Sequence, residues 1–170
     1  MARTREATSH EQRLSGVRRI AHHRRWTEGH PTRLRHHAVD GPRGKGGSRS
    51  TTGRLIPWNL FTDPELARVG LTEEQARATG RDIRVAKLPV KAIPRARTMR
   101  ETRGLWKAVV DRDTEEILGV ALLGPDSSEV LTVVQTAMWA GLPFTALRDG
   151  LIAHPTMAEG LNALFTSWVD

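Results

Sequence analysis

The stretch Ala153-His154-Pro155-Thr156-Met157-Ala158-Glu159-Gly160-Leu161-Asn162 sets an imidazole and a carboxylate five residues apart. His154 is the only histidine after residue 53. Imidazole is the side chain that exchanges a proton near neutral pH. A carboxylate within reach fixes its tautomer, and such a pair is a general acid–base device. Pro155 suits the first position of a helix. The sequence therefore predicts a helix from Pro155, with His154 at its mouth and Glu159 in its early turns. On that helix Met157, Leu161, Leu164, Phe165 and Trp168 form the apolar stripe, and Glu159 points the other way, to solvent or a partner. The same spacing also fits a surface histidine beside a glutamate that merely complements the helix dipole.

Little else in the chain competes for chemistry. No serine near His154 sits in a nucleophile elbow. There is no cysteine, which removes thiolate catalysis, disulfides and Cys-based metal sites. Carboxylates and histidines show no designed metal-ligand spacing. A second His-Pro-Thr, His30-Pro31-Thr32, has Arg35 where the first has Glu159, and no amphipathic helix follows it. The tripeptide carries little without its context.

The elements that must position the pair begin at Arg54. Trp58–Thr62 reads as a short strand closed by the Asp63-Pro64 turn signal. Thr72-Glu73-Glu74-Gln75 matches a capping box, and Gly80 ends the helix it opens. Ile83–Leu88 is a strand. Pro89 and Pro94 then predict a basic, irregular or edge segment over Lys91–Arg103. Leu105–Val110 and Ile117–Leu123 are strands apolar on both faces, joined by a polar turn into a hairpin. Asp126 and Glu129 read as N-cap and N3 of a helix with the stripe Val130, Val133, Val134, Ala137 and Met138, ended by Gly141. Pro143–Asp149 reads as a short helical turn. The order predicts an α+β domain, an antiparallel β-sheet with helices packed on it. Consecutive amphipathic helices with exposed tryptophans predict a partner surface.

Charge divides the chain. Residues 1–53 hold 12 Lys and Arg against 4 Asp and Glu, and six of the seven histidines. Residues 54–170 hold 14 against 15. Residues 1–53 contain few apolar residues, which predicts a basic, disordered tail whose only nucleic-acid affinity is nonspecific. No apolar run reaches membrane-spanning length, and no apolar h-region marks a secretory signal. The expectation is a cytoplasmic protein without a membrane segment. A nucleic-acid-binding protein acting through its basic arm, or a gene remnant without function, stands as the alternative.

Several segments together resemble the C-terminal dimerisation domain of the pyridine nucleotide-disulfide oxidoreductases, which include dihydrolipoamide dehydrogenase, glutathione reductase and mercuric reductase. They are Phe61–Thr72, Gly104–Asp111, Ile117-Leu118-Gly119 with Leu123-Gly124-Pro125, and His154-Pro155-Thr156 with Glu159. Arg95-Ala96-Arg97, the Gln135–Asp149 region and Gly160–Phe165 look most like the mercuric-reductase-like, reactive-chlorine-resistance branch. The resemblance covers residues 54–170 and implies a homodimer, or pairing with a full-length reductase subunit. It implies that His154, oriented by Glu159, acts as acid–base in the other subunit's thiol and flavin site. It also implies that Pro155, through a cis bond, shapes the loop facing that flavin. The parent enzyme would use FAD and NAD(P)H. This chain lacks the dinucleotide fingerprint and the redox cysteines, so neither cofactor is expected on it alone. That pattern predicts a fragment.

Overall fold

The computed structural model describes residues 54–169. The tail expectation and His30-Pro31-Thr32 lie outside them. Six strands form one sheet in the order β1-β2-β5-β4-β3-β6, and every neighbouring pair is antiparallel. They are β1 (Trp58–Leu60), β2 (Leu66–Gly70), β3 (Ile83–Pro89), β4 (Leu105–Asp111), β5 (Ile117–Leu123) and β6 (Trp168–Val169). The helices are α1 (Glu73–Ala78), α2 (Pro94–Met99), α3 (Ser127–Trp139), α4 (Phe144–Asp149) and α5 (Gly160–Leu164). The α+β architecture matches the sequence reading.

Side-chain alternation along the central strands builds two cores. Trp106, Ala108 and Val110 of β4 point into the larger one, with Val120 and Leu122 of β5 and the buried faces of α3, α4 and α5. Val109 and Leu118 point the other way and pack with Ile83, Val85 and Ala76 beneath α1. Burial on both sides explains why β4 and β5 read as continuous apolar runs. Their hairpin is held by Asp111, whose Oδ1 accepts from the amides of Asp113 (3.0 Å) and Thr114 (2.9 Å).

The capping box forms as expected. Thr72 Oγ1 accepts from the Gln75 amide, and Gln75 Oε1 accepts from the Thr72 amide. One ion cluster ties α1 to the sheet: Glu73 Oε2 lies 2.6 Å from Lys107 Nζ on β4, and Glu73 Oε1 lies 2.7 Å from the Arg77 guanidinium. Lys107 first, and Arg77 after it, hold the Glu73 carboxyl down from 4.5 to about 2. A depressed carboxylate stabilises the fold above its unfolded value, and that stability is lost as pH falls from about 4.5 toward 2. The cluster is at the surface, so screening reduces the contribution to about 1 kcal/mol. Thermal unfolding should show Lys107→Met below the parent at pH 6, with the gap closing by pH 2. A gap independent of pH would contradict the assignment.

Four local expectations are corrected. Lys91–Arg103 is not irregular: a 3-10 turn over Val90–Ala92 leads into α2. Pro94 occupies the first turn of α2, where a missing N–H costs nothing. Ile93 and Ala96 anchor the segment, both fully buried, while Lys91, Arg95 and Arg97 stay exposed. The α3 stripe is rotated: Leu131 is buried, and Val133 is partly exposed. Asp126 sits at the N-cap position of α3 with a left-handed backbone and makes no capping bond. Glu65, far away in sequence, caps instead. Its Oε2 accepts from the Ser128 amide (3.1 Å) and hydroxyl (2.8 Å). Trp168 belongs not to the last helix but to β6, where it pairs with Ala86 and stacks edge-on to Phe144.

Candidate active site

Helix α4 ends at Asp149, and the chain runs from Gly150 to His154 before turning back to α5. A fifth correction falls here: Pro155 does not open a helix. The His154–Pro155 bond is cis, as the resemblance implied, and regular helix begins only at Gly160. The local reason is Thr156. Its Oγ1 donates to the Ala153 carbonyl (2.8 Å) and accepts from the Glu159 amide (3.2 Å). A side chain that engages both groups offers the backbone an alternative to helix over 153–159. Met157 is buried and pins the middle of the loop to the core. Gly160 pins its far end. A Cβ there would come 2.7 Å from Trp106 Cζ3 and 2.8 Å from Ile93 Cδ1, so only glycine lets α5 lie against the tryptophan.

This loop brings the two predicted residues together. His154 Nδ1 lies 2.8 Å from Glu159 Oε2. A carboxylate only accepts, so Nδ1 carries the proton in this bond, and Nε2 presents its lone pair. The ring is 70% exposed, while the Glu159 side chain is only 11% exposed. The sequence reading had Glu159 facing outward. In the fold it is the covered member, and the histidine is the one on display. An exposed imidazole held by a covered carboxylate is an arrangement that can exchange a proton with a group outside the domain. Pro155 is exposed at the rim of the same loop.

Two residues that hold this loop escaped the sequence reading. In the sequence Thr156 stands out only as part of the tripeptide. Asn162, seen only as part of the motif, donates from Nδ2 to the carbonyls of Leu147 (2.7 Å), Arg148 (3.0 Å) and Gly150 (3.0 Å). No periodicity marks such a residue, because its partners lie on another element.

Neither nucleotide cofactor fits these residues. A dinucleotide site is a glycine-rich turn between a strand and a helix in a parallel sheet. Here every strand pair is antiparallel. The groove nearest the loop is an open hollow between α3 and residues 157–158, lined by Asp126, Glu129, Val130 and Val133. Two carboxylates at its edge oppose a pyrophosphate. Among the described residues no three His, Cys, Asp or Glu side chains cluster to hold a metal. No described helix is long and apolar enough to cross a membrane.

Comparison with known proteins gives this geometry its context. Residues 56–165 match the family model of the pyridine nucleotide-disulphide oxidoreductase dimerisation domain. The probable pyridine nucleotide-disulfide oxidoreductase RclA of Escherichia coli is 53% identical over 121 residues, which is 71% of this chain and 27% of that protein. A mercuric reductase of Lysinibacillus sphaericus is 41% identical over 108 residues, 64% of this chain and 20% of that one. The solved structure of the HOCl-induced flavoprotein disulfide reductase RclA from Escherichia coli superposes with a TM-score of 0.67, covering 71% of this chain and 28% of that one. The chain thus spans about a quarter of the length of such relatives. Matched over well more than half its length by this model, the chain belongs to the family of pyridine nucleotide-disulphide oxidoreductase dimerisation domains.

Proposed function

We propose that residues 54–170 are the dimerisation module of an FAD- and NAD(P)H-dependent cytoplasmic oxidoreductase of the disulfide or mercuric reductase type. The module pairs as a homodimer, or with a full-length reductase subunit, and lends His154 to the thiol and flavin site of the other subunit. The observation that carries this reading is the contrast within the dyad. Glu159 is covered and orients Nδ1, whereas the ring is open to the outside. An imidazole so prepared, exposed while its partner carboxylate is covered, serves a group on another surface. Nε2 takes a proton from a thiol or returns it, and the Glu159 carboxylate stabilises the imidazolium formed in between. Pro155, at the rim of the loop, lies beside the ring and shapes the surface it offers. Flavin, nicotinamide and the redox cysteines belong on the remaining three quarters of the length that the relatives possess, which makes this chain a fragment in function. The exposed Val133, Trp139, Leu142 and Leu151, from α3 to the loop, supply the apolar surface that a subunit contact needs.

Sedimentation equilibrium on the purified chain tests the pairing. The expected result is a dimer without flavin absorbance. A species that stays monomeric at high concentration would count against the reading.

A further inference from the structure

We infer that Asn162 is a positioning residue for His154: its side-chain amide closes the loop that carries the imidazole and holds the ring against Glu159. The importance of this for turnover rests on the role proposed above for His154; the positioning itself does not.

The loop is closed by two nested clasps. Thr156 makes the inner one, joining Ala153 to Glu159. Asn162 makes the outer one. Its Nδ2 reaches the Leu147 and Arg148 carbonyls in the last turn of α4 and the Gly150 carbonyl just beyond it. The last carbonyls of a helix have no partner within the helix. A primary amide offers two N–H groups, and with three acceptors one hydrogen must be shared. One side chain thus joins the segment entering the loop to the helix leaving it. The Asn162 backbone amide also donates to the Glu159 carbonyl at 3.1 Å, a bond that substitution of the side chain leaves intact.

Packing cannot supply this constraint. Leu151 is fully exposed, Ala153 and His154 are exposed, and Ile152 is only half-buried. On the other side of the ring Met157 and Gly160 are buried, so Glu159 is held by the core. His154 hangs from a segment whose entry point is fixed by polar contacts, chiefly those of Asn162. Loss of the clasp would leave Glu159 in place and release the histidine.

The test reads the imidazole directly. In the isotopically labelled 170-residue chain, long-range nitrogen–proton spectra report the tautomer of each histidine, and His154→Gln identifies the His154 signals by their loss. Widely separated nitrogen shifts, with Nδ1 protonated, are expected for the parent. In Asn162→Ala the two shifts should converge as both tautomers become populated, while the core methyl signals of Leu161 and Leu164 stay in place. An unchanged tautomer in a folded Asn162→Ala chain would overturn the inference. Should that variant fail to fold, Asn162→Ser retains one donor and should give intermediate shifts, with unchanged shifts again overturning it. When residues 56–165 replace their counterpart in the Escherichia coli relative, Asn162→Ala should lower kcat about ten-fold with KM little changed. If His154→Gln leaves turnover intact there, the catalytic reading falls, and the tautomer result still decides the positioning.

Discussion

Replacing His154 by Gln should lower turnover about 100-fold, the usual contribution of one general acid–base group. The setting is a reductase of the Escherichia coli type whose corresponding segment has been exchanged for residues 56–165 of this chain. Flavin content and dimer formation should be unaffected, because the ring is exposed and its only polar partner among the described residues is Glu159. Gln occupies similar space but neither accepts nor releases a proton near neutral pH. Glu159→Gln keeps a hydrogen-bonding group at the same place and removes the charge that stabilises the imidazolium. Its loss should be smaller than that of His154→Gln and in the same direction. Stopped-flow and steady-state assays of disulfide or metal reduction would separate the two variants. Full activity in His154→Gln would end the role assigned to the pair.

Gly119→Ala should be among the most damaging small substitutions for stability, at about 3 kcal/mol. Gly119 lies in β5 opposite Gly70 of β2. An added Cβ would sit 2.0 Å from the Leu71 carbonyl oxygen and 2.7 Å from its nitrogen. Both are backbone atoms, and the Leu71 amide is already bound to the Leu118 carbonyl at 2.9 Å. Relief therefore requires β2 and β5 to separate, which opens both cores at once. Gly80→Ala is the control. Gly80 has φ +75° but nothing within 4 Å of its missing Cβ, so that change carries only the backbone cost, about 1 kcal/mol. Urea unfolding of the two variants would compare them. Equal destabilisation would show that the close approach of the strands does not govern the effect.

The parts of the fold legible in the residues share one property: their cause is local. The Thr72/Gln75 capping box, the two doubly apolar strands and the amphipathic period of α3 are each decided by neighbours within a few positions. The errors fall where a distant group competes. Asp126 has the right chemistry and spacing to cap α3, yet Glu65, just before β2, makes the bond. Val130, Leu131, Val133 and Val134 are all apolar, so helical period alone leaves the buried side open by one step. The packing of α3 on β2 and β5 buries Leu131 and leaves Val133 outside. Pro94 is both a breaker and a good first residue, and in the sequence the first meaning prevails. Burial of Ile93 and Ala96 in the main core imposes the second.

The candidate site follows the same division. Residue type and spacing marked His154 and Glu159 as a pair, because two groups five residues apart are a local object, while the role assigned to them came with the resemblance. Which of the two is displayed, and by what means, was not legible. The helical wheel turned Glu159 outward. Thr156 bonding in the loop replaced the helix, and the anchoring of Met157 and Gly160 beside Trp106 drew Glu159 under cover. Nothing in the sequence marked what the Asn162 side chain does, for its three acceptors lie at and just beyond the end of another helix. Chemistry within a short stretch is written in the order of residues. The direction in which that chemistry faces is set by contacts between segments far apart in the chain, which form only when the sheet and helices close around the core.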